Sequence, residues 1–329
     1  MDIAPKCCSI SISRGDRGIS ISRGDRGDYQ IQKPFLKWVG GKSQVIGDII
    51  GRFPEQMENY YEPFVGGGSV LLAVLSLRQQ GKITISGTIY ASDANEKLIN
   101  LYQCVKNHKE ELWERIQFYS DTYHRCPAIT RQKGKKLVKP CNEAESCTSQ
   151  ETYYYWMRYL FNNRSEGGVE SAALFMMLNK TGFRGMFREG PNGFNIPFGN
   201  YKKPTIITKS ELDAVSELFR DVEFSCCDFS DCLSNVSDKS FVYLDPPYVP
   251  ENTKSFVGYT KNGFSQHEQL FQFIDDFKSV RVMMSNACVP LVIEHFTTSK
   301  YNITEIECKR RINSKDPASK TMEVIITNY

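Results

Sequence analysis

The segment Phe241-Val242-Tyr243-Leu244-Asp245-Pro246-Pro247-Tyr248 constrains this chain more than any other. Four β-forming residues that stop at a carboxylate and two prolines read as a buried strand delivering a side chain to the carboxyl edge of a sheet. In open α/β sheets that edge is where ligands bind. The chemistry fits such a place: Asp245 accepts hydrogen bonds, the prolines fix the backbone and donate nothing, and Tyr248 offers a flat face. A planar group bearing an NH2 would suit it. The same letters also fit a strand that ends in a proline-rich turn, so the surrounding chain has to decide.

Two upstream segments bear on that decision. Tyr60-Tyr61-Glu62-Pro63-Phe64-Val65-Gly66-Gly67-Gly68-Ser69, followed by an apolar helical run over residues 70–77, reads as strand, glycine turn, helix. The glycines lack the G-x-G-x-x-G spacing of a dinucleotide site, and a plain tight turn also fits. Residues 88–92 read as a second strand ending at Asp93, an acid placed to accept hydrogen bonds from ribose hydroxyls. Turn and acid together point to an adenosine-containing ligand. Nearer the start, Gly41-Lys42-Ser43 imitates the end of a phosphate-binding loop, but Leu36 stands where that motif needs its first glycine, which argues against a nucleoside triphosphate. Gly40 and Gly41 predict a tight turn opening into a helix, with Trp38 and Lys42 around whatever lies there.

The remaining pattern predicts an α/β fold interrupted by an insertion. Residues 94–122 have helical spacing, 152–161 and 172–178 read as aromatic and apolar helices, and 125–150 as a surface loop carrying Arg131, Lys133, Lys135, Lys136 and Lys139. Residues 179–204 alternate glycines, aromatics and arginines, as in a hairpin whose tips insert among bases; an irregular loop packing its own aromatics is the other reading. The α/β rhythm then resumes with helices over 212–219 and 266–277 and strands over 222–226, 241–244, 280–285 and 321–327, with Asp228 just past the first of these strands.

Composition excludes several classes. With 329 residues, 40% hydrophobic, 24% charged and a net charge of +3, the chain is of soluble globular type with a mild basic lean. No apolar run reaches membrane-spanning length and the first residues lack a signal-peptide core, so no membrane partner and an intracellular location are expected: cytoplasm in a prokaryote, or nucleus or cytoplasm of a host cell if the source is viral or eukaryotic. Eleven scattered cysteines include no Cys-x-x-Cys pair and are expected to stay reduced; His124, Cys126, Cys141 and Cys147 match no standard zinc spacing, and no metal is expected. Residues 10–18 and 19–27 repeat ISISRGDRG, and with so little apolar surface residues 1–30 are read as a flexible tail.

Taken in order, Phe35-Leu36-Lys37-Trp38-Val39-Gly40-Gly41-Lys42, Glu62 to Ser69, Asp93 to Tyr102, Phe194-Asn195-Ile196-Pro197-Phe198-Gly199 with Tyr201-Lys202-Lys203-Pro204, and Asp245 to Tyr248 resemble the Dam-type DNA adenine-N6 methyltransferases, which use S-adenosylmethionine. The resemblance covers residues 33–329. It implies a seven-stranded, Rossmann-like methyltransferase sheet formed by residues 31–104 and 205–329, with an inserted, mostly helical target-recognition domain containing a β-hairpin over 105–204. By position it places Trp38, Lys42, Pro63, Phe64, Gly66, Asp93, Asp228 and Asp245 around the cofactor. Lys37 and Arg188 stand where GATC-methylating members read guanines, Phe183 where an aromatic stacks or intercalates, and Pro197 beside the target's neighbouring base. Arg184 replaces the small polar residue common there, and the turn between Arg188 and Phe194 is shorter.

The resemblance implies that Asp245 and the Pro246 carbonyl accept the N–H bonds of a flipped adenine, Tyr248 stacks on it, and no metal takes part. Double-stranded DNA is the expected partner, with a restriction enzyme of the same specificity as a second. RNA bases or a protein glutamine are alternative acceptors, and an inactive DNA-binding module is a third reading.

Overall fold

The computed structural model describes residues 10–14, 19–23, 27–129, 140, 142–164, 167–250, 264–309 and 320–329. The expected basic stretch at Arg131, Lys133, Lys135, Lys136 and Lys139, and Cys141 with it, lies outside the described residues.

The chain opens with three strands, β1 (Ile10–Arg14), β2 (Ile19–Arg23) and β3 (Gly27–Ile31), paired antiparallel in that order. These strands fall in the stretch that the sequence reading took as a flexible tail. The alternation Ile-Ser-Ile-Ser has the two-residue period of a strand, and the two copies pair with Ile12 opposite Ile21. Apolar anchorage comes from the third strand. Tyr29 and Ile31 are buried, Gln80 Nε2 donates to the Gln30 carbonyl at 2.6 Å, and the Gln32 N–H donates to Ser76 Oγ at 3.0 Å. Ser76 lies on the helix Ser69–Gln79, and Gln80 is the residue that caps its end.

Eleven further strands follow among the described residues. They are β4 (Gln56–Met57), β5 (Tyr60–Glu62), β6 (Thr84–Ile85), β7 (Ile89–Asp93), β8 (Glu189–Gly190) and β9 (Gly193–Phe194). Then come β10 (Val222–Cys226), β11 (Phe241–Leu244), β12 (Arg281–Ala287), β13 (Asn302–Lys309) and β14 (Lys320–Thr327). Seven of them form one sheet in the order β10-β7-β5-β11-β12-β14-β13, in which β14 runs opposite to the other six. This is the seven-stranded α/β sheet that the resemblance implied.

β11 lies at its centre with all four residues buried. Its side chains alternate between two cores: Phe241 and Tyr243 join the cluster of the helices Ser69–Gln79, Glu96–Asn107 and Lys209–Phe219, and Val242 and Leu244 join that of His267–Asp276 and Pro290–His295. Such a strand reads as continuously apolar because both its faces are covered. Between β5 and β11 the strand order reverses, which opens a crevice at their carboxyl ends.

Between β7 and β10 the chain is mostly helical. The helix expected over 94–122 is two, Glu96–Asn107 and Lys109–Arg125, broken at His108 (φ −133°, ψ 38°), so residue 105 lies inside the first of them. Gln150–Asn162 and Val169–Thr181 follow, the second buried along most of its length. Asn95, Ser149 and Thr208 cap helices by accepting the N–H of Leu98, Thr152 and Glu211, each at 3.1 Å. The hairpin expected within 179–204 narrows to β8 and β9, preceded by a 3-10 turn over Phe183–Gly185. Phe194 and Ile196 are buried there, while Phe183 remains 43% exposed.

A chain beginning at Lys33 is expected to be less stable than one beginning at Gly27 by about 2–5 kcal/mol, the order of burying Tyr29 and Ile31. Equal midpoints of urea unfolding would contradict this docking of β3.

Candidate active site at the sheet edge

The crevice is a cavity of about 860 Å³. Trp38, Lys42, Pro63, Phe64, Gly66, Asp93, Asp228, Asp245, Pro246 and Tyr248 all line it. Every residue expected around the cofactor or the reacting base thus comes to one place from separate segments.

The glycine turn after β5 explains how the chain approaches so closely. A Cβ on Gly67 would lie 2.6 Å from Trp38 Cβ, and Gly68, at φ +70°, begins the helix Ser69–Gln79 in a conformation side chains disfavour. Trp38 itself packs against both Phe175 and Phe187, with centroids at 6.3 and 5.9 Å, and those two rings lie 5.5 Å from each other. At the end of β7, Asp93 accepts the N–H of Gly66 at 3.0 Å and that of Asn95 at 2.9 Å. Desolvation pushes its carboxyl above the ordinary range against the pull of those donors. Asp228 caps the helix Phe229–Leu233 through Oδ1, which accepts from the N–H and the hydroxyl of Ser230 at 3.0 and 2.8 Å. Phe64 stacks on Phe229 at 5.6 Å.

Opposite lies the reactive-looking corner. Lys42 Nζ sits 2.7 Å from Asp245 Oδ1, 4.8 Å from the centre of the Tyr248 ring, and donates to the Gly40 carbonyl at 2.8 Å. Lys42 is only 5% exposed, while the Asp245 side chain keeps 20% of its surface open where it lines the cavity. Burial pushes the Asp245 carboxyl up to about 6, with Lys42 pulling it down and Glu323 adding to the rise. The far end of the tetrad is held twice more: Tyr248 Oη donates to Glu323 Oε2 at 2.7 Å, and the Val249 N–H donates to Asn286 Oδ1 at 3.1 Å.

Glu62 completes the corner. It is 2% exposed, its Oε2 accepts the Tyr60 hydroxyl at 2.6 Å, and its carboxyl is pushed up to about 8, first by burial and further by Asp245. Two carboxyls in one dry site are thus held apart in protonation: Glu62 neutral and Asp245 charged at pH 7.

Lys37, Phe183, Arg184, Arg188 and Pro197 do not line the cavity. They gather beside it. Phe183 N–H donates to the Pro197 carbonyl at 2.9 Å, Arg184 holds its guanidinium 5.2 Å from the Phe183 ring, and Arg188 Nε donates to Asn195 Oδ1 at 2.7 Å. Lys37 Nζ lies 4.0 Å from the centre of the Tyr201 ring. Lys97 and Glu189, which pair with each other, and Phe187 tie this region to the cavity rim.

The sequence reading missed Glu62, Glu323, Asn286, Lys97 and Glu189. Glu62 stood in a quoted motif and its place before Pro63 was the available signal; Glu323 and Asn286 lie on strands whose pairing the local sequence does not specify. Among the described residues, no group of three or more His, Cys, Asp or Glu is arranged to hold a metal, and no helix is long and apolar enough to cross a membrane.

Comparison with known proteins bears directly on this geometry. The family model of the D12 class N6 adenine-specific DNA methyltransferases matches residues 38–312, a span that contains the glycine turn, the Asp93 strand and the Asp245 tetrad. The chain belongs to this family. It is similar to the type II methyltransferase M.MjaIII of Methanocaldococcus jannaschii, 34% identical over 90% of this chain and 99% of the relative. It is also similar to the type II methyltransferase M1.LlaDCHI of Lactococcus lactis subsp. cremoris, 32% identical over 90% of this chain and 95% of the relative. The DNA adenine methylase of Escherichia coli (strain K12) is 30% identical over the same shares. The protein is therefore an adenine-specific DNA methyltransferase, and the cavity at the sheet edge is its candidate active site.

Burial of Glu62 gives this methyltransferase a pH signature. With its carboxyl near 8 when folded and 4.5 when exposed, the folded state holds a proton that the unfolded chain releases, so stability falls as pH rises through that window. Glu62→Gln is expected to flatten the decline in melting temperature between pH 6 and 9; equal slopes in both proteins would contradict the burial.

Proposed function

We propose that the enzyme transfers a methyl group from S-adenosylmethionine to N6 of an adenine turned out of duplex DNA within a short palindrome, with GATC as the first candidate. The observation that carries this reading is the convergence of Asp245, Tyr248 and Lys42 with the glycine turn and Asp93 in a single cavity.

The residues present fit the cofactor. Asp93 offers acceptor capacity toward a ribose, Pro63, Phe64 and Gly66 form the wall that the glycine turn brings close, and Trp38 supplies a flat face. Lys42, Asp228 and Asp245 complete the set. When bound, S-adenosylmethionine supplies a sulfonium methyl group. The protein's part is to prepare the acceptor, since the N6 lone pair is delocalised into the ring. Asp245 and the Pro246 carbonyl accept the two N–H bonds and favour a pyramidal nitrogen, while Tyr248 stacks on the base. A carboxyl near 6 is still ionised at pH 7 yet accepts more strongly than an ordinary one. The adenine has to leave the helix, because N6 cannot reach a recessed cavity from inside the stack.

Recognition falls to the neighbouring cluster: Lys37 and Arg188 read guanines, Phe183 stacks or intercalates, Pro197 touches the adjacent base, and Arg184 adds a cation. Residues 105–204 act as the recognition domain within a catalytic domain of 31–104 and 205–329. The type II methyltransferases among its relatives support a role beside a restriction enzyme of the same specificity, in an intracellular setting.

Single-molecule sequencing of plasmid from a methylation-deficient host expressing this protein is expected to show N6-methyladenine at one palindrome. Asp245→Ala is expected to lower methylation on the order of 10²–10⁴-fold with DNA binding retained. An unmodified plasmid, or an unimpaired Asp245→Ala enzyme, would overturn the assignment.

A further inference from the structure

Asn179 is a buried amide, 4% exposed, near the end of the helix Val169–Thr181 and outside the cavity. Its Oδ1 accepts the Lys37 N–H at 2.9 Å. Its Nδ2 donates to the Lys37 carbonyl at 2.7 Å and to the Gly185 carbonyl at 3.1 Å. One side chain thereby grips both backbone groups of Lys37, as a neighbouring strand would, and also the last residue of the Phe183–Gly185 turn. Only an amide offers an acceptor and two donors in this plane; a carboxylate has no donor and an aliphatic residue has neither.

The contact is close from the other side as well. Gly185 sits at φ +63°, and a Cβ there would lie 2.3 Å from Lys37 Cβ, so the turn packs flush against Lys37. The turn also holds Arg184 at φ +56°, a conformation that bulky residues adopt only when their surroundings enforce it. Lys37 is in turn followed by Trp38, which lines the cavity.

We propose that Asn179 is a positioning residue for target recognition: it locks Lys37 and the Phe183–Gly185 turn into one rigid reading edge, set in register with the cavity through Trp38. The inference rests on the reading of Lys37 and Phe183 as DNA contacts. A rigid edge matters because base discrimination depends on hydrogen bonds whose donors are already placed, and a backbone free to shift lets a near-cognate site be accommodated.

The test compares cognate duplexes with duplexes carrying one substituted base pair. Asn179→Asp keeps the acceptor for the Lys37 N–H and sets oxygen against the two carbonyls. It is expected to reduce the cognate to near-cognate ratio of kcat/KM by about tenfold or more, the scale of one weakened base contact, with affinity for S-adenosylmethionine unchanged. Should that variant fail to fold, Gly185→Ala disturbs the same contact from the turn and is expected to act in the same direction. Lys37→Ala is measured alongside. If Lys37→Ala lowers discrimination while Asn179→Asp, or Gly185→Ala in its place, keeps the wild-type ratio, the clamp is overturned. If Lys37→Ala itself leaves discrimination intact, the reading of Lys37 is wrong and Asn179 has nothing to position.

Discussion

The largely buried ion pair of Lys42 and Asp245, 2.7 Å apart, is the interaction on which the rest of the site depends. Two charges withdrawn from water cost more than they return unless each finds its partner at close range, so the pair stands only if the glycine turn and the end of β11 are brought to one point. The sheet does this. β11 lies between β5 and β12, its register with each is fixed by side chains that alternate into two cores, and Asp245 emerges where the strand order reverses. A carboxylate held there, partly desolvated but ionised, suits the role proposed for Asp245 as acceptor of the amine's N–H.

Around the pair the acids are graded. Glu62 is driven to the neutral form by burial and by Asp245, while Glu323 spends its acceptor oxygen on the Tyr248 hydroxyl. Tyr248 is therefore held at both ends of its freedom, with Lys42 against its ring and Glu323 at its tip. The arrangement fixes a flat face before any ligand arrives, which lowers the cost of ordering it later. On the other flank, the Trp38 stack with Phe187 and the pairing of Lys97 with Glu189 connect the cavity wall to the segment that carries Arg188. The cavity and the segment proposed to read bases thus share one frame.

Much of the fold was legible in the sequence because its signals are local. The run into Asp245, the three glycines and the strand into Asp93 each declare a strand and its end, and the resemblance set their order. The two-sided burial of β11 likewise shows as an unbroken apolar run. What stayed hidden depends on contacts between distant segments. The repeat near the start looked too polar to be ordered; its anchor is Tyr29 and Ile31 on β3, docked on Ser69–Gln79. The break at His108 carries no glycine or proline to announce it. Glu323, Asn286 and Asn179 are polar residues with ordinary neighbours, and only the folded chain brings them to Tyr248, Val249 and Lys37.

The most direct measurement is the pH dependence of kcat, at saturating S-adenosylmethionine and DNA, for the wild-type enzyme and Lys42→Met. With Asp245 required as a carboxylate near 6, the wild-type rate should fall as pH drops through that value, and loss of the Lys42 charge should move the acid limb to higher pH. A limb that stays where it was in Lys42→Met would contradict the claim that this pair sets the state of the acceptor carboxylate.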